Sequence, residues 1–180
     1  MLRIKILGEE YWDEEAEQFR YPNAQTIELE HSLVSLSEWE SKWNKPFLSK
    51  KEKTNEEILD YIKCMTLTPD VDEETYRYLS SKNYMEIDKY ISASMTATTF
   101  ADKGQNKGKQ ETITAEIIYH WMMSLNIDMA CENWHLNRLI TLIRVCSLKN
   151  TPPKKMSQND IYARNAALNA RNKAKYNSKG

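Results

Sequence analysis

Leu2, Ile4 and Ile6 alternate with Arg3 and Lys5 at the start of the chain, and Ile27 and Leu29 alternate with Glu28 and Glu30 further on. A period of two marks a half-buried strand. Residues 2–7 and 26–30 are therefore predicted to pair, with Arg3 and Lys5 facing Glu28 and Glu30 across a hairpin. The intervening stretch, GEEYWDEEAEQFRYPNAQ, is long for a hairpin loop and strongly acidic. It is expected to form a protruding arm with extra pairing at its tip.

The period then lengthens to that of helices. SEWE at 37–40 fits a capping box, and Trp39 and Trp43 fall on one face before Pro46 ends the segment. TNEE at 54–57 is a second box, opening a helix with Ile58, Ile62 and Met65 on one side and Pro69 beyond it. DEETYRYL from Asp72 predicts a third helix and NYMEIDKYI from about Asn83 a fourth. Residues 101–110, ADKGQNKGKQ, read as an exposed, mobile loop. Thr112 or Thr114 caps the next helix, through about Leu125, with Ile113, Ile117, Trp121 and Leu125 on one face and Glu116, His120 and Ser124 as its polar stripe.

The stretch from Leu136 is apolar at Leu139, Ile140, Leu142, Ile143, Val145 and Cys146, leaving Asn137, Arg138, Thr141 and Arg144 as a narrow polar strip. Such a helix is central to a core or covered by another chain. With its predecessor it is predicted to form the central pair, joined by a short link near Asn126–Asp128. Pro152 and Pro153 stop it. SQND at 157–160 caps a last helix containing Ile161, Ala163, Ala166, Ala167, Leu168 and Ala170, poor in bulky core residues and marginal alone in water. The fold class is mainly α: a compact helical domain with an N-terminal β-hairpin arm and a C-terminal basic helix. The predicted organisation is a hairpin arm over 1–32 packed on the body, a helical core domain over 33–150, and a basic, partly mobile helical tail over 151–180.

Charge adds an asymmetry that hydropathy misses. Net charge is −1, but residues 149–180 hold eight cations (Lys149, Lys154, Lys155, Arg164, Arg171, Lys173, Lys175, Lys179) and one acid, Asp160. The tail is thus 8 − 1 = +7 and residues 1–148 are −1 − 7 = −8. An acidic body with a basic tail points to charge-guided association. The tail could also neutralise nucleic-acid phosphates, but its only aromatics are Tyr162 and Tyr176, and the body would repel a polyanion. A protein partner or a neighbouring subunit fits better. Three cysteines at no framework spacing read as reduced thiols, and no apolar run suggests a signal peptide or a membrane span.

Candidate chemistry is sparse. Cys131 and His135, four apart, with His120 nearby, invite a metal site, but paired ligand spacing is absent and a packed cysteine beside a hydrogen-bonded histidine is the simpler reading. Cys64, Cys131 and Cys146 have no neighbouring nucleophile elbow or glycine-rich oxyanion loop. KGQNKGK lacks phosphate-loop spacing, and Glu9–Glu17 reads as a solvated acidic arm. No enzyme and no cofactor is expected. Trp39, Trp43, Trp121 and Trp134 are expected in the core. Tyr11 and Trp12 form a sticky arm tip or pack back on the body. The candidate partner-binding residues are Tyr11, Trp12, Lys154, Lys155, Arg164, Arg171 and Lys173.

IELEHSLVSLSEWESKWNKPFL, EILDYIKCM, MTATTF and WHLNRLITLIRVC…PPKKM resemble the tail assembly chaperones of long-tailed bacteriophages of Gram-positive hosts, over nearly the whole chain. The resemblance implies a non-enzymatic protein that binds and solubilises the tape measure protein while the tail tube polymerises. It implies the host cytoplasm as the place of action and absence from the mature virion. Covering a long client takes many copies, and a repeated head-to-tail contact gives a ring or a spiral, so a homo-oligomer is expected, with contact to the tail tube protein and, from hydropathy and charge, no membrane or nucleic-acid partner. The competing classes are a connector protein retained in the virion and a nucleic-acid-binding regulator that uses the basic tail.

Overall fold

The computed structural model describes residues 1–21, 24–100, 112–151 and 157–176. It is mainly α, with a small N-terminal hairpin and a C-terminal helix. β1 (Leu2–Ile6) pairs antiparallel with β4 (Gln25–Leu29), Leu2 opposite Leu29 and Ile6 opposite Gln25. Ile4, Ile6, Ile27 and Leu29 are buried, as their alternation requires. Arg3 lies opposite Glu28 and its Nε donates to Oε1 at 2.7 Å. The second predicted pair does not form. The register sets Lys5 against Thr26, and Glu30 lies past the strand end, where it takes the N-terminal ammonium at 2.8 Å and the Tyr90 hydroxyl at 2.7 Å. The other edge of β4 is covered by the segment after the second helix: Glu30 N–H donates to Met65 O and Leu67 N–H to Glu28 O, both at 2.8 Å. The arm closes in a second pair, β2 (Tyr11–Asp13) and β3 (Gln18–Arg20).

α1 (Leu33–Trp43) begins five residues before the start that a Ser37 cap predicts. Its capping box is made by two serines: Ser35 N–H donates to Ser32 Oγ and Ser32 N–H to Ser35 Oγ. A hydroxyl at the third helical position does the work expected of a carboxylate there, so the Ser37–Glu40 pair is not the start signal. Asn44, in the left-handed region at φ 51°, ends the helix. α2 (Asn55–Cys64) has the Thr54–Glu57 box that its sequence predicts. Glu73–Tyr78 is a 3₁₀ segment rather than an α-helix. α3 (Ser81–Ser92) starts earlier than expected, on a Ser80–Asn83 box.

α4 (Ala115–Ser124) has Thr114 at the cap position, but the threonine side chain makes no capping bond. Glu40 of α1 reaches across instead, and its carboxylate accepts from Ala115 N–H and Phe47 N–H at 2.7 Å each. The buried face of α4 is Ala115, Ile118 and Met122, about one residue's rotation from the predicted Ile113–Ile117–Trp121–Leu125 face. A 3₁₀ segment, Met129–Asn133, occupies the link to α5 (Leu136–Asn150). Ser157 caps α6 (Gln158–Tyr176), accepting from Asp160 N–H at 3.1 Å and donating to its carboxylate at 2.7 Å.

Two apolar clusters make the core. The first joins the hairpin to Trp39, Tyr61, Ile62, Met65, Tyr76, Ile87 and Tyr90; the second gathers Leu33, Leu36, Ala115, Ile118, Met122, Cys131, Leu136, Leu139 and Ile143. α1 supplies both clusters and lies against both α2 and α4, so it is the pivot in place of the predicted α4–α5 pair. α5 fully buries only Leu136, Leu139 and Ile143, and Ile140, Leu142, Val145 and Cys146 stay half-buried. Among the four tryptophans expected inside, only Trp39 is fully buried. Trp43, Trp121 and Trp134 lie at the cluster margins, and Arg138 covers the Trp134 ring at 4.1 Å. An indole is large enough to seal a core from its edge while one side stays wet. The chain divides into two compact units, 1–147 and 148–180. The predicted loop at 101–110 and the proline break at 152–153 lie outside the described residues.

Candidate functional site

α2 and α3 present facing apolar stripes. Ile58, Tyr61 and Ile62 recur at the helical spacing on one, and Tyr84, Ile87 and Ile91 on the other. Between them, with Phe47 as a further wall, lies a cleft of about 360 Å³. Tyr61, Ile62 and Ile87 are buried, whereas Ile58 is 38% and Tyr84 37% exposed. Phe47 stacks on Tyr61 with ring centroids 3.7 Å apart, and the Lys53 ammonium sits 4.5 Å from the Phe47 ring centre. Among the described residues, Lys53 and Asp88 are the only charged ones lining the cleft. Such a surface can take apolar side chains and place one charge of each sign, but it brings no nucleophile, base and orienting group together.

Trp39 and Trp43 brace α2 from behind. Trp39 Nε1 donates to Glu57 O and Trp43 Nε1 to the Asp60 carboxylate, both at 2.8 Å. Lys42 and Lys45 pair with Asp60 and Glu57. Both carboxylates are thus satisfied on the α1 side.

A buried polar strap lies where the two apolar clusters meet. His31 shares a 2.6 Å hydrogen bond between Nδ1 and the Tyr61 hydroxyl. Its ring lies 5.2 Å from that of His135. His135 Nε2 donates to Tyr90 O at 3.0 Å, and its Nδ1 accepts from Asn137 N–H at 3.3 Å, which fixes a neutral tautomer. Burial, then the neighbouring His135, pushes the His31 pKa down to about 4. Burial lowers His135 as well. Among the described residues no cluster of three or more His, Cys, Asp or Glu could hold a metal ion. Burial pushes the Cys64 thiol up to about 12, so at neutral pH it is not the thiolate that nucleophilic attack needs.

The residues singled out from sequence are spread over both units. Tyr11 and Trp12 are exposed on the arm, Trp12 packing against Phe19 of the same arm. Arg164, Arg171 and Lys173 are exposed on α6. Lys154 and Lys155 lie outside the described residues. The cleft itself was missed. Its one signal was the Tyr84–Ile87–Ile91 spacing, and Ile58 reads equally well as core until Ile62 and Met65 alone are seen to be buried. Among the described residues no helix is long and apolar enough to cross a membrane. Comparison with protein-family models, with curated proteins and with solved structures finds no match.

Proposed function

We propose that this chain is a non-enzymatic assembly chaperone that holds an amphipathic helix of a client protein in the α2–α3 cleft. The observation that carries the reading is the cleft: two helical stripes of large apolar side chains that face each other and leave Ile58 and Tyr84 exposed at the rim. An amphipathic helix lays its apolar face into such a groove through residues three, four and seven apart. The resemblance of HSLVSLSEWESKWNKPF and WHLNRLITLIRVC to phage tail assembly chaperones supplies the client: the tape measure protein of the encoding phage, held soluble while the tail tube forms. The chaperone acts in the host cytoplasm, in several copies per client, and leaves before the particle is complete.

Ile58→Asp and Tyr84→Asp test this, because both residues sit at the rim and neither is needed to close the core. On co-expression with the tape measure protein, each variant is expected to lower the yield of soluble, co-purified client about tenfold, the cost of losing one anchor in a groove. Undiminished client capture by the folded double variant would overturn the cleft. Presence of the chain in mature particles at stoichiometric amounts would overturn the chaperone and favour the connector.

A further inference from the structure

Trp12 and Phe19 stand directly opposite each other in the β2–β3 pair, so both project from one face of the arm tip. Their rings meet edge to face at 4.8 Å, yet Trp12 is 48% and Phe19 57% exposed. Residues 8–19 also hold Glu9, Glu10, Asp13, Glu14, Glu15 and Glu17, and no lysine or arginine. An apolar face set among acids repels polyanions and attracts a basic surface that has apolar side chains of its own.

α6 has such a surface. At about 100° per residue, Ile161, Arg164, Leu168, Arg171 and Lys175 fall within an arc of about 80°. All are exposed, and the helix buries no residue. Ile161 and Leu168 would lie against the two rings while the three cations flank them. We infer that the arm tip of one copy docks on this face of α6 in a second copy. Each copy carries one arm and one α6, so the contact is head-to-tail and repeats, giving a ring or an open spiral. Two rings against a few side chains make a small contact, below the roughly 1,000 Å² of a stable interface, so the free chain is expected to associate weakly and its assembly to grow with concentration. Multiple copies along one client would add avidity. The inference does not depend on the cleft or on the identity of the client.

The full-length chain is tested by sedimentation velocity over a range of concentrations. Wild type is expected to associate, more strongly at low salt. Trp12→Ala/Phe19→Ala breaks the arm, and Leu168→Glu/Arg171→Glu breaks the helix face; circular dichroism checks that both remain folded. Each variant alone is expected to associate roughly tenfold more weakly or worse. Mixed in equal amounts they should form a complex that stops at the dimer, because one intact arm meets one intact helix. A wild type that stays monomeric, a variant that associates as wild type does, or a mixture that stays monomeric or grows past the dimer would each overturn the contact. Client capture by Ile58→Asp reports on the cleft alone, so the two proposals fail separately.

Discussion

α1 and α6 both open on a serine cap, but they are held by different forces. α1, with 11 residues, buries Leu33, Ser35, Leu36, Trp39 and Glu40. α6, with 19, buries none. By local criteria α6 is the better helix: it is longer and has alanine at 163, 166, 167, 170 and 174. α1 contains Val34 and two tryptophans, which are poorer helix formers. Yet burial of Trp39 alone contributes about 2–3 kcal/mol, and its indole N–H is satisfied by Glu57 O. Helical geometry is set locally in α6, whereas helical stability in α1 comes from tertiary packing.

The largest effect separating them should come from Trp39→Ala. Removing a fully buried indole is expected to cost about 3–5 kcal/mol, read as a lowered denaturant midpoint for the body. Leu168→Ala in α6 should move the same midpoint by no more than about 0.5 kcal/mol. Comparable losses in the two variants would mean that α6 is as firmly packed as α1.

The next effect is pH-dependent and belongs to the His31 strap that follows β4 and leads into α1. Folded, His31 stays neutral down to about pH 4, whereas in the unfolded chain it takes up its proton near 6.5. Between these values the unfolded state binds more protons, so stability falls as the pH falls from about 6.5 to 4. The full loss is about 3 kcal/mol at about 1.4 kcal/mol per pKa unit, and His135, also lowered, adds in the same direction. Glu40, whose carboxyl burial pushes up, works with the opposite sign. His31→Asn isolates the histidine: its stability should fall less steeply than that of wild type over this window. Parallel curves for the two proteins would remove the strap from the account.

Much of the architecture is readable from local pattern because its causes are local. Alternation places Ile4, Ile6, Ile27 and Leu29, and reciprocal side-chain bonds place Thr54 and Ser157. What escapes are features set by distant partners. Glu40 reads as the end of a capping box, but tertiary packing sends it to the first N–H of α4. Trp121 lies on the apolar arc of α4, but the face that goes inward is decided by where Leu33 and Leu36 already sit. His31 gives no sign in sequence of meeting His135, more than a hundred residues on. The cleft was invisible for the same reason: its two walls are ordinary amphipathic stripes until α2 and α3 are set facing each other.

The finest test uses one kind of change in both helices. Glu38 of α1 and Ala170 of α6 are exposed, so glycine at either removes no buried contact. Each substitution should cost about 0.5–1 kcal/mol through backbone entropy. The cost should appear in different places. In α1 the helix cannot melt without opening the core, so Glu38→Gly lowers the global midpoint by the full amount. In α6 the helix–coil balance is its own, so Ala170→Gly leaves that midpoint unchanged and instead speeds amide exchange across 163–176. If arm docking between copies holds α6, raising the concentration should restore its protection in wild type and less completely in the glycine variant, because the docked helix must first be formed. A drop in the global midpoint for Ala170→Gly matching that for Glu38→Gly would erase the distinction between a packed helix and one awaiting a partner.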